Sequence, residues 1–91
     1  MHHDTRVCED KRWRAHCSDD VTWHNSQAHP VTISKDPSSP WPFAPPGPYV
    51  VPAHGTLNCN ILLGLPPNDY NYSVNDCPIE IKNTPKTVII S

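Results

Sequence analysis

Val21-Thr22-Trp23-His24-Asn25-Ser26-Gln27-Ala28-His29-Pro30-Val31-Thr32 carries two short runs of alternating character with a turn between them. In Val21–Asn25 the β-branched and aromatic residues predict a half-buried strand that stops at the turn-prone Asn25-Ser26 pair. Pro30 to Ser34 predicts a second strand with Val31 and Ile33 on one side. A proline suits its first position, where no ladder donor is needed. Working outward, Tyr49–Val51 predicts a short strand. Thr56 to Leu63 predicts a longer one with Leu57, Cys59, Ile61 and Leu63 on one face. Tyr70–Val74 alternates again, and Lys86–Ile90 predicts a buried final strand. Ser18-Asp19-Asp20, Pro52–Gly55 and Gly64–Asp69 are turns. Six or seven short strands with turns of this kind make an all-β sandwich or barrel. With 12 Pro and 3 Gly in 91 residues, long helices are disfavoured, because proline lacks an N–H and clashes with the preceding turn.

Hydrophobic residues are 36% and charged residues 18% of the chain, enough for one small core. The expected domain is therefore 1–91, with 1–18 an N-terminal segment that the pattern leaves undefined beyond one short strand. A formal net charge of −2 with both signs mixed gives no electrostatic case for a nucleic-acid partner. No apolar run approaches the roughly 20 residues of a helical membrane span. From Pro37 to Asn68 there is no Asp, Glu, Lys or Arg.

Cys8, Cys17, Cys59 and Cys77 are an even set in a short chain, which predicts disulfides and an oxidising compartment, secreted or periplasmic. Three pairings are open at this point. A structural metal cluster is disfavoured, since no C-x-x-C or H-x₃-H pair occurs. No apolar signal-peptide core follows Met1, so export is expected to leave this chain as a mature form with an added Met.

The order of the pieces resembles the cupredoxin family, a Greek-key β-sandwich. Val21 to Thr32 is similar to its strand–loop–strand, in which a V-x-W-x-N strand leads to a His and then a V-T strand. Val51-Pro52-Ala53-His54-Gly55-Thr56 resembles its turn into the next strand, Tyr70–Val74 its aromatic strand, and Thr87–Ile90 its last strand. The resemblance covers residues 19–91. It implies a copper ligand at His29, with a Cys, a second His and a Met close together after the aromatic strand. Cys77 falls in that region, displaced past Asn75-Asp76. Pro78-Ile79-Glu80-Ile81-Lys82-Asn83-Thr84-Pro85, however, contains neither His nor Met, and Met1 is the only methionine. A blue-copper site needs two His, a thiolate and usually an axial Met, so the expectation is a scaffold without that site and without a cofactor. Inside the region of resemblance Cys59 offers Cys77 a partner, which would leave Cys8 with Cys17.

The expected function is a non-catalytic exported binding or structural module. Its expected contact residues are Trp41, Phe43, Pro45, Pro46 and Tyr49, in a stiff proline-rich loop where aromatic anchors suit a protein partner. Folding of those rings back onto the sandwich is the competing expectation. The alternative function is copper or zinc carriage by His24, His29 and His54 or Cys77, since imidazoles suit both metals. Met1-His2-His3 adds an amine and a third-position His that could take Cu(II). No nucleophile elbow, HExxH or phosphate-cradling glycine loop occurs, and no catalytic residue is expected. Asn71-Tyr72-Ser73 matches a glycosylation sequon, here on an expected strand.

Overall fold

The computed structural model describes residues 1–78 and 85–91. Among them the strands are β1 His2–Arg6, β2 Arg12–Ala15, β3 Asp20–His24, β4 Val31–Lys35, β5 Phe43–Ala44, β6 Tyr49–Val51, β7 Thr56–Ile61, β8 Asn68–Asn75 and β9 Lys86–Ile90. Period-two alternation sets which way each one faces. β3 buries Val21 and Trp23, β4 buries Val31 and Ile33, and β8 buries Tyr70, Tyr72 and Val74.

The strands form a four-stranded sheet in the order β1-β3-β7-β5 and a five-stranded sheet in the order β2-β9-β8-β4-β6. β1 pairs with β3 and β2 with β9 in parallel, while the remaining pairs are antiparallel. The result is a small Greek-key sandwich closed on an aromatic centre. Trp23, Phe43 and Tyr72 meet edge to face with ring centroids 5.2 to 5.7 Å apart, an arrangement aromatic quadrupoles favour. Trp13 Nε1 donates to the Tyr72 hydroxyl at 2.9 Å, which satisfies a polar atom that burial would otherwise penalise. Burial pushes the Tyr72 phenol pKa up.

Three sequence expectations are corrected here. The first twenty residues supply two strands, not one. β1 and β2 each close one edge of a sheet, and they escape the pattern because β1 buries only Thr5 and β2 only Ala15. The proline-rich loop contains β5, paired with β7 through Phe43 and Ile61. Leu63 does not join the inward face of β7, because the strand ends at Ile61 and Leu63 is 80% exposed. Beyond it, Gly64 has a φ of 83°, in the region that glycine alone adopts at no steric cost.

Candidate functional site

Asn25 follows β3 and is buried at the end of the sandwich where β3 and β4 are joined. Its Nδ2 donates to the carbonyls of His29, Val51 and Pro52 at 2.9, 3.2 and 3.1 Å, and its Oδ1 accepts from the Gln27 N–H at 2.9 Å. One amide thus ties the β3–β4 turn to the turn after β6. The His54 N–H also donates to the Gln27 carbonyl at 3.0 Å, with His54 in the left-handed region at a φ of 51°. The turns carrying His29 and His54 are therefore brought together, but their imidazoles have separate surroundings. His29 Nε2 donates to the Asp76 carbonyl at 2.5 Å, and His54 is exposed. His24 points from β3 to the outer face, where its Nε2 donates to Asp4 Oδ1 at 2.9 Å. His2 Nε2 also lies 3.2 Å from that oxygen. Hydrogen bonds from His24 and then His2 lower the Asp4 pKa.

Cys77 is bonded to Cys8, which corrects the expected pairing of Cys59 with Cys77 and of Cys8 with Cys17. The turn after β1 brings Cys8 to the end of β8, a tertiary closure that sequence distance does not reveal. Cys17 and Cys59 are free thiols. Cys59 faces inward from β7 and accepts from Trp23 Nε1 at 3.2 Å, and burial pushes its thiol up to about 11. Cys17 donates to the Leu65 carbonyl at 3.4 Å. Close to the bridge lies a residue that sequence reasoning missed as a site feature. Lys86 is 2% exposed on the inner face of β9, and its Nζ donates to the Cys8 carbonyl at 2.9 Å. Its charge concealed it, because a lysine at a strand end ordinarily reaches solvent.

The proline-rich loop resolves into two parts. Phe43 and Tyr49 are buried, and Trp41 packs edge to face on both at 5.1 Å. These rings extend the core, so Phe43 and Tyr49 are not surface anchors. The Tyr49 hydroxyl donates to the Pro45 carbonyl, and Gly47 packs against the Trp41 indole, where a Cβ would stand 2.5 Å from Cζ2. Pro45, Pro46 and Pro48 remain exposed. Trp41 and Pro46–Pro48 line a shallow concavity with Ser34 and Lys35.

The residues present do not fit a copper centre of the kind the resemblance implies. The Cys77 sulfur is covalently engaged, and His29 Nε2 is turned to a carbonyl. Among the described residues, no group of three or more His, Cys, Asp or Glu is arranged to hold a metal ion. Residues 79–84, within the loop where the resemblance implies further ligands, lie outside the described residues.

No family model and no curated protein matches the chain. Among solved structures it is similar to an oxidized amicyanin variant, with a TM-score of 0.64 at 15% identity over 100% of this chain and 81% of that one. It is also similar to an amicyanin variant in its Cu(I) form, with a TM-score of 0.63 at 11% identity over 99% of this chain and 82% of that one. At these identities the likeness is one of backbone architecture. The chain has a cupredoxin-like fold, a small Greek-key β-sandwich carrying the Cys8–Cys77 disulfide.

Proposed function

We propose that the chain is a non-catalytic, exported binding or structural module that uses the cupredoxin-like sandwich as a scaffold and not as a blue-copper carrier. The observation that carries this reading is the Cys8–Cys77 disulfide. The cysteine that falls in the region of the family's thiolate ligand is tied into the frame of the molecule. A disulfide of this kind also persists best in an oxidising compartment, which supports export. The contact surface in this reading is the uncharged loop around Trp41, Pro45, Pro46 and Pro48, with Lys35 of β4 beside it. Stiff proline segments lose little conformational entropy on binding.

Intact mass with and without reductant, followed by Cu(II) titration of the unreduced protein, tests the proposal. The expected mass lies two hydrogens below the reduced value, as one disulfide requires. No copper is then retained beyond what the amine and His3 of Met1-His2-His3 take up. Free Cys8 and Cys77 thiols, with one tightly held copper lost on His29→Ala, would overturn the proposal and restore metal carriage.

A further inference from the structure

We propose that Cys77 is a site of thiol–disulfide exchange, its sulfur attacked by a partner thiol while the sulfur of Cys8, the residue whose carbonyl the Lys86 ammonium holds, departs. The inference does not rest on the binding role proposed above. Its first support is unequal access. Cys8 is 2% exposed, whereas Cys77 is only half-buried. Exchange depends on which sulfur a thiolate can reach, and of the two residues Cys77 is the one with exposed surface.

The second support is the placement of Lys86. An inward-facing ammonium on a core strand is costly to bury, and an apolar residue of similar volume would pack there without that penalty. Its Nζ donates to the Cys8 carbonyl oxygen at 2.9 Å, which puts its charge on the same residue as the departing sulfur. A cation near a thiol lowers the thiol pKa, and a leaving thiolate of lower pKa departs faster. Burial and then Lys11 make this ammonium readier to give up a proton, with Glu9 and Asp10 acting the other way.

The third support is the backbone beside Cys77. Asp76 has a φ of 73°, and its carbonyl accepts from His29. A short polar residue tolerates this left-handed conformation, and the His29 bond holds the peptide next to Cys77 from another loop.

The chemistry balances with a dithiol as reductant. Its first thiolate attacks Cys77 Sγ, the Cys77–Cys8 bond breaks as the new S–S bond forms, and the electron pair leaves on Cys8, which takes up a proton. Its second thiolate then attacks the mixed disulfide and releases Cys77. The chain gains two electrons and two protons, and the dithiol becomes a disulfide. A monothiol halts the sequence at the mixed disulfide, which makes it the better probe.

The molecule carries its own control. Cys59 is free and 5% exposed beneath the sheet, so alkylation of Cys59 reports opening of the whole sandwich. The experiment treats the oxidised full chain, with Cys17→Ser to remove the other free thiol, with reduced glutathione. Samples are alkylated at intervals and the modified peptides mapped. The expected product carries glutathione on Cys77 and alkyl on Cys8, and forms at least about tenfold faster than Cys59 is labelled. Lys86→Met slows that step by about tenfold, whereas Lys86→Arg keeps it within about threefold. Glutathione on Cys8, equal rates at Cys77 and Cys59, or an unchanged rate in Lys86→Met would each overturn the proposal. A Lys86→Met chain that fails to fold declares itself by rapid Cys59 labelling, and Lys86→Gln, which removes the charge but keeps a donor for the Cys8 carbonyl, then takes its place: the same slowing is expected, and an unchanged rate overturns the proposal.

Discussion

Along one flank of the sandwich, where β1 and β2 form the sheet edges, Arg6, Lys11, Arg12 and Arg14 stand in solvent with Asp4 nearby. Along the other, where β5 and β6 form the edges, the chain from Pro37 to Asn68 holds no Asp, Glu, Lys or Arg. Both flanks face the same difficulty, an unpaired edge that could template pairing with another chain. The first answers it with charge. The second answers it with shortness and proline: β5 has 2 residues and β6 has 3, and Pro45, Pro48 and Pro52 bracket them without N–H donors. Their means of cohesion differ as well. The charged flank is tied down by the Cys8–Cys77 bridge and by Lys86, while the uncharged flank is packed by Trp41, Phe43 and Tyr49. Exposed ion pairs such as Arg6–Asp10 and Arg12–Asp69 add little on such a surface. The lesson is that a segregation of charge along the chain has become a segregation in space.

Phe43→Ala should break the comparison most severely. The Phe43 ring meets those of Trp13, Trp23, Trp41, Tyr49 and Tyr72, so truncation opens a cavity shared by both sheets. A loss of about 4 kcal/mol in urea unfolding is expected. Second in size is removal of the bridge by Cys8→Ser with Cys77→Ser. The cysteines are 69 residues apart in sequence; the chain-entropy argument sets a ceiling of about 4.4 kcal/mol for so long a loop, and a loss of about 3 kcal/mol, typical of disulfide removal, is expected. If the bridgeless chain loses clearly more than Phe43→Ala in the same assay, covalent bracing outweighs aromatic packing in this fold.

The uneven legibility of the two flanks has a physical origin. β3, β4, β6 and β8 could be read because each presents successive inward residues that are apolar or aromatic, and one-sided burial imposes that alternation. β1 and β2 could not, since an edge strand of a small sandwich buries few side chains and those of β1 are polar. β5 was hidden inside a run of prolines whose turn chemistry dominated the local signal. The bridge was illegible for another reason. Pairing of cysteines depends on which turns meet at one end of the molecule, and that meeting is arranged by the Asn25 amide and by the parallel β1–β3 and β2–β9 pairs. His29 was read as a candidate copper ligand, but its bond to the Asp76 carbonyl arises only when the two loops are folded against each other.

Asp19 gives the charged flank a response to acid that the other flank lacks. It is buried and accepts from the His16 N–H at 2.9 Å, from His3 Nε2 at 2.8 Å and from the Met1 amine at 3.0 Å. Burial opposes its charge, yet the His16, His3 and amine contacts together hold the carboxyl well below the usual carboxylate range. A carboxylate with a depressed folded pKa contributes stability that is complete above the unfolded value and is lost as pH falls towards the folded one. Urea midpoints measured at falling pH should therefore decline below the ordinary carboxylate range. In Asp19→Asn the decline should be shallower, starting from a lower midpoint at neutral pH. Equal slopes for the two chains would mean that other carboxylates carry the acid response.

The smallest expected effect comes from placing a charge on the uncharged flank. Val50 is 56% exposed on β6, its side chain directed away from the core that Tyr49 and Val51 fill. Val50→Lys buries nothing and breaks no ladder bond, so its unfolding midpoint should move by less than about 0.5 kcal/mol. A lysine on an edge strand disfavours pairing with a second edge, so the same variant should aggregate less on heating, as read by light scattering. If light scattering on heating is unchanged, the short proline-bracketed strands already protect this edge, and its lack of charge serves contact with a partner and not self-avoidance. If scattering falls, the lack of charge is a cost that the flank carries, and the comparison between charge and proline as edge guards is settled in favour of charge.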